Sequence, residues 1–264
     1  MRVCKKTLAF AFLTLLILTA IACGKKKSPL FEPSQAKPGS AEYLCNEGLA
    51  FLDSGDFTQA RNRFQAALAK APSNIDAILG MGLVHLNNRE LDQSLSYFER
   101  LKELTPDSYD VYNYMGIIYL ELQQYPRARE NLLIAATSST YKTPENAYAN
   151  LAILEIKQNN LDAAMRYIKK GLEKKKNFPQ LHILEGQVLE AQKNWQDALL
   201  AYERASTITY NNDPGILIAL ARLHKQLGDK DKALNILESS LGKARNEAER
   251  QTIINMIADI NSQN

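Results

Sequence analysis

Three histidines and three cysteines are the residues of this 264-residue chain best suited to nucleophilic, acid–base or metal chemistry. Their setting gives them little of it. The chain has no GxxxxGKS or GxxxxGKT loop, no HExxH, no CxxC and no GxSxG. His85, His182 and His224 fall where bulky packing residues recur, so they are expected to be core residues rather than bases or ligands. Cys45 has no partner for an internal disulfide once Cys4 and Cys23 are otherwise accounted for, and it is expected to pack on a helix. No catalytic residue, metal ligand or cofactor is assigned. The cysteine with chemistry of its own is Cys23, whose thiol closes a long apolar run.

That run determines what Cys23 is for. Arg2, Lys5 and Lys6 form a positive start, followed by the apolar residues 8–22. A spanning helix needs about 20 such residues, so the segment is short for an anchor and reads as an export signal. It ends in Leu18-Thr19-Ala20-Ile21-Ala22-Cys23, with small residues just before the cysteine. This resembles a bacterial lipoprotein processing site. The resemblance implies removal of residues 1–22 and a lipidated Cys23 as the first residue of the mature chain. Plain signal cleavage, leaving a free periplasmic protein, is the alternative. Gly24 rather than Asp follows the cysteine, which by the same resemblance favours the outer membrane, its periplasmic face, over retention in the inner one. Several acyl chains at about 0.8 kcal/mol per buried CH2 would make such attachment effectively permanent.

Residues 23–40 are expected to be a tether: Gly24-Lys25-Lys26-Lys27-Ser28-Pro29, then Pro33, Lys37, Pro38 and Gly39, carry no apolar period. The chain has 32 Lys and Arg against 29 Asp and Glu, and Arg2, Lys5 and Lys6 of the signal are the whole excess. The remainder is balanced. Composition thus offers no basic surface, and nucleic acid is not an expected partner.

The elements beyond the tether are set by a period. Gly48, Gly82 and Gly116 recur every 34 residues, and a 34-residue frame fits six times: 41–74, 75–108, 109–142, 145–178, 179–212 and 214–247. Thr143-Pro144 and Asp213 are small insertions between frames. The eighth position reads Gly48, Gly82, Gly116, Ala152, Gly186, Ala221; the twentieth reads Ala60, Ser94, Ala128, Ala164, Ala198, Ala233. Two antiparallel helices can approach closely where neither carries a bulky side chain, and Phe57, Phe64, Phe98, Tyr125, Trp195 and Tyr202 would fill the remaining space. The pattern resembles the tetratricopeptide repeat. The expected fold is all-α: a tetratricopeptide-repeat superhelical solenoid of six helix pairs, with residues 248–264 supplying a C-terminal capping helix and tail. Ile253, Ile254, Ile257 and Ile260 are expected on its inner face.

In such arrays the first helix of each repeat lines the binding face through positions 2, 5, 9, 12 and 13. There this chain has Leu49 and Leu52, Leu79, Leu83 and Leu86, Ile117 and Leu120, and Ile153 and Ile156. Glu42, Asp53, Asp76, Asp110 and Glu121 stand around them, while repeats five and six turn polar at Gln187, Glu190, Arg222 and Lys225. An apolar stripe edged by acids suits an apolar helix or extended peptide. It does not suit a carboxylate clamp, because no Lys or Arg occupies positions 2, 5 or 9 of the first three repeats. The stripe either holds a partner or is covered, by the chain's own tether or by tighter superhelical curvature.

Residues Tyr141-Lys142-Thr143-Pro144-Glu145-Asn146-Ala147-Tyr148-Ala149-Asn150, followed by Leu161-Asp162-x-Ala164 and Asn177-Phe178-Pro179, narrow the field. This stretch, six repeats and the lipidation site resemble the type IV pilus biogenesis lipoproteins of the PilF, PilW or Tgl pilotin type. The resemblance implies a non-enzymatic outer-membrane lipoprotein. Its expected partner is the pilus secretin, whose delivery and multimerisation such proteins assist, and Cys23 would hold it to the membrane. A general envelope scaffold would share fold and anchor but not the Thr143-Pro144 signature.

Overall fold

The computed structural model describes residues 36–262. The signal segment, Cys23 and most of the tether lie outside the described residues. Among those described there are thirteen α-helices and no strand. The helices are α1 (Ala41–Ser54), α2 (Phe57–Lys70), α3 (Ile75–Asn87), α4 (Leu91–Leu104), α5 (Tyr109–Glu121), α6 (Tyr125–Thr137), α7 (Pro144–Lys157), α8 (Leu161–Lys174), α9 (Pro179–Ala191), α10 (Trp195–Ile208), α11 (Pro214–Gln226), α12 (Lys230–Ser240) and α13 (Glu247–Asn261). The described residues form two compact lobes, divided between Gln123 and Gln124 in the turn of the third repeat.

Local chemistry sets the helix ends. Ser40, Asp56, Asn74 and Asp229 each accept a hydrogen bond from a backbone N–H of the first turn that follows. Pro179 and Pro214 open α9 and α11, where a missing N–H costs nothing. Pro144 does the same for α7. It is thus the first helical residue of its repeat rather than part of an inserted turn.

The turn inside each repeat has one backbone form. Its fifteenth position is left-handed in all six: Gly55, Arg89, Gln123, Asn159, Lys193 and Gly228 have φ between 59° and 89°. Only two are glycines. Reversed hydrogen bonds impose the geometry on the others: Arg89 N–H donates to Leu86 C=O at 3.1 Å, and Glu90 N–H to His85 C=O at 2.9 Å. The same pair of bonds recurs at Lys193 and Asn194. Each turn therefore brings the sixteenth residue to the N-cap position of the second helix, where Asp56 and Asp229 cap it through their side chains.

In the N-terminal lobe α1 pairs with α2 and α3 with α4, and α3 also touches α2 and α1. Phe64 of α2 is fully buried between glycines of two different helices. A Cβ on Gly48 would stand 2.6 Å from its ring, and one on Gly80 2.3 Å. Burying one such ring contributes about 2–3 kcal/mol. Phe98 meets Gly82 in the same way, at 2.9 Å. Ser94, the one polar residue among the twelve small positions, donates to Gly82 C=O at 2.8 Å. All twelve small positions are buried, as the period requires.

The C-terminal lobe repeats the scheme: α7 with α8, α9 with α10 and α11 with α12. A Cβ on Gly186 would lie 2.7 Å from the Tyr202 ring, and one on Gly171 2.6 Å from Leu181. The stretch around Pro144 contributes packing, with Ala147, Tyr148 and Ala149 buried on α7. Helix α13 closes the lobe by laying Ile253 and Ile260, both fully buried, with Ile257 beside them, against α11 and α12. Ile254 departs from the expected inner face and is 39% exposed. One residue along a helix turns the side chain by about 100°, off the stripe that Ile253, Ile257 and Ile260 share.

Candidate functional site

The nine apolar residues expected to line a binding face fall in two lobes. Seven are on α1, α3 and α5; Ile153 and Ile156 are on α7 of the other lobe. Since α1 and α3 touch, Leu49 and Leu52 are brought beside the helix that carries Leu79, Leu83 and Leu86. Leu49 and Leu52 also pack on the core formed by Leu44, Cys45, Phe64 and Met81. Leu49, Leu52, Leu79, Leu83, Ile117 and Ile156 are half-buried. Leu86, Leu120 and Ile153 are not available: their exposures are 7%, 1% and 8%. The open stripe is thus narrower than the sequence suggested. Position 12 is interior in repeats two and three, and half-open at Leu52, which has no earlier helix pair beside it among the described residues.

The charged residues around this stripe differ between the lobes. Helices α1, α3 and α5 carry Glu42, Glu47, Asp53, Asp76, Asp110 and Glu121, and not one Lys or Arg. Arg63 meets Glu47 at 3.5 Å and Arg89 meets Glu121 at 3.8 Å. Glu42, Asp53, Asp76 and Asp110 are exposed. In the C-terminal lobe the acids of the first helices α7 and α9 are paired with cations drawn mostly from other elements. Glu145 is paired with Lys175 at 3.1 Å, Glu190 with Arg222 at 2.8 Å and Glu185 with Arg204 at 3.7 Å. Glu155, only 1% exposed, is bonded by Arg129 and by Asn160.

The histidines pack. His85 and His182 are each 8% exposed and His224 5%. His85 donates through Nδ1 to Glu90, which Arg61 also grips, and its ring stacks on Tyr97 at 5.3 Å. These hydrogen bonds hold the Glu90 carboxyl below its usual range. His182 donates to Lys176 C=O at 2.9 Å. Burial lowers the His224 pKa from its ordinary 6.5; Lys232 pushes the same way, while Asp229 and Glu203 oppose. Folding therefore favours the neutral ring. That contribution is complete above pH 6.5 and is lost as pH falls through the lower folded value. Thermal melts should show a larger fall in Tm from pH 7 to pH 5 for the native chain than for His224→Phe, which copies Phe51 of the first repeat.

Cys45 is 2% exposed and donates its thiol to Asn74 Oδ1 at 3.2 Å. Burial, then the charges of Asp76 and Glu42, raises its pKa to about 11. At pH 8 the thiolate is scarce, and iodoacetamide should label Cys45 slowly in the native chain and quickly in denaturant. Equal rates would contradict its placement.

An open cleft of about 730 Å3 at the turn of the fourth repeat is lined by Arg129, Glu155, Asn160 and Arg166 among others. Its buried carboxylate, Glu155, is already bonded to Arg129 and Asn160. Among the described residues no cluster of His, Cys, Asp or Glu could hold a metal ion, and no helix is long and apolar enough to cross a membrane.

Two family models described as tetratricopeptide repeat match the chain, one over residues 45–109 and 150–214, the other over residues 189–257. Together they cover more than half of it. The chain belongs to the tetratricopeptide-repeat family. Proteins of this family bind protein partners. No curated protein matches this tetratricopeptide-repeat chain. Among solved structures it is similar to PilF of Pseudomonas aeruginosa, at 20% identity, TM-score 0.65, over 82% of this chain and 97% of that one. It is also similar to PilW, described as a widely conserved type IV pilus biogenesis factor, at 20% identity, TM-score 0.69, over 81% and 98%. Yeast Tom70 matches at 20% identity and TM-score 0.70, over 85% of this chain but 47% of that one. At these identities the likeness is one of fold.

What sequence reasoning missed at the site is the pairing of charge. The arginines that neutralise acids in the C-terminal lobe stand 19–32 residues away from them, with no local pattern to announce the match.

Proposed function

We propose that this chain is a non-enzymatic lipoprotein of the outer membrane, anchored through Cys23. It holds a secretin subunit on the helix face of its first repeats and promotes that pore's targeting and multimerisation in type IV pilus biogenesis. The observation that carries the reading is the extent of the structural likeness. The fold runs over 97% and 98% of the two pilus proteins, whereas the match to Tom70 takes in less than half of that chain. A six-repeat protein of the same extent, with a lipoprotein-like processing site ahead of it, has the parts that delivery of a membrane pore needs. Lipid brings the protein to the membrane, the tether spans the gap, and half-buried leucines offer apolar contact to an incoming segment.

The test is recovery of partners from detergent-solubilised membranes, paired with a secretin multimer assay. Native chain should bring down secretin. The double substitution Leu49→Asp with Leu83→Asp should abolish multimers while far-UV circular dichroism stays helical. Multimers that persist in a helical double variant contradict the assignment of the face, and recovery of other envelope machinery without secretin contradicts the assignment of the partner.

A further inference from the structure

The two lobes share a fold but handle charge on their first helices in opposite ways. In the C-terminal lobe every carboxylate on α7 and α9 has a cation within ion-pair reach. In the N-terminal lobe α1, α3 and α5 bear six carboxylates and no Lys or Arg, and Glu42, Asp53 and Asp76 have no ion pair among the described residues. Glu42 and Asp76 each stand in the first turn of one of two helices that touch, α1 and α3. Beside Asp76, Ile75 is 46% exposed, and the half-buried Leu49, Leu79 and Leu83 follow. Carboxylates in the first turn of a helix are favoured by its dipole, which accounts for Glu42 and Asp76 being there. It does not account for the lack of any cation along three helices.

From this we infer that the first-helix face of the N-terminal lobe docks a cationic amphipathic segment: apolar residues flanked by lysine or arginine. This rests on the reading of that face as a docking surface and names its occupant by charge. Apolar side chains would lie along Leu49, Leu79 and Leu83, and the flanking cations would meet Glu42, Asp76 and Asp53. The charge pairs select and steer the segment, and the leucines supply the contact area.

Fluorescence anisotropy on the full chain in detergent tests this with two synthetic helical peptides. Both carry leucines at i, i+3 and i+4; one has lysine flanks, the other glutamate flanks. The lysine peptide should bind about tenfold more tightly at 50 mM salt, and the gap should close at 500 mM. The exposed substitutions Glu42→Lys and Asp76→Lys together should reverse the preference. Equal binding of the two peptides, or an unreversed order in a helical variant, overturns the inference. So does affinity for the lysine peptide that appears only after residues 24–35 are deleted, since the face would then belong to the chain's own Lys25-Lys26-Lys27 and Leu30-Phe31. Secretin recovery on the same samples separates the two readings. Secretin lost with Leu49→Asp and Leu83→Asp but indifferent to charge leaves the docking face standing without its charge rule.

Discussion

Replacing Gly80 with alanine should lower the stability of the N-terminal lobe by about 2–3 kcal/mol, the usual cost of overpacking a filled core. Alanine is the better helix former by about 1 kcal/mol, so propensity alone has the opposite sign. Packing wins because the new methyl would stand 2.3 Å from Phe64 Cζ and 2.5 Å from both Cε atoms. The ring cannot retreat: it is fully buried, and Gly48 already admits it only by lacking a Cβ on the other side. Phe64→Ala should itself cost about 3–5 kcal/mol. Once the ring is gone, adding Gly80→Ala should be neutral or stabilising. Urea unfolding followed by circular dichroism, over all four members of this cycle, checks the claim; simple additivity would mean that the ring and the glycine do not meet.

The second large effect concerns Glu155. It is 1% exposed on α7, and its charge is met by Arg129 of α6 with help from Asn160. Removing one partner of a buried pair leaves the other charge uncompensated, at about 3–5 kcal/mol. Arg129 is 36% exposed, so water can reach part of the site and about 2–3 kcal/mol is the expected loss for Arg129→Ala. Arg129→Met combined with Glu155→Gln should recover most of it, since no charge is then stranded. A loss under about 0.5 kcal/mol for the single variant would show that the carboxylate is solvated after all.

These cases show which features could be read before any coordinates. The small eighth and twentieth positions were visible because a helix pair cannot close without them, and Gly48 against Phe64 is that constraint in atoms. The proline starts of α9 and α11 were visible for a similar local reason. The left-handed turn was hidden, because Arg89, Gln123 and Lys193 are not turn residues, and hydrogen bonds across the turn impose a form their side chains would not choose. The binding face was legible in part. Leu52 and Leu86 are the same residue at the same position, yet one is half-open and the other closed. What differs is their neighbours, and neighbours are a tertiary fact. The acids on α1 and α3 could be counted in the sequence, whereas the lack of an ion pair at Glu42, Asp53 and Asp76 among the described residues, against the paired acids of α7 and α9, required the structure.

The most direct test of the central claim is site-specific photo-crosslinking in cells. A photoreactive side chain is placed at Leu83 on the proposed face, and at the exposed Gln65 on α2 as a control. The expected result is a secretin adduct from position 83 and none from position 65. No secretin adduct from position 83, or equal adducts from both positions, would contradict the claim that the first helices of the N-terminal lobe hold the partner.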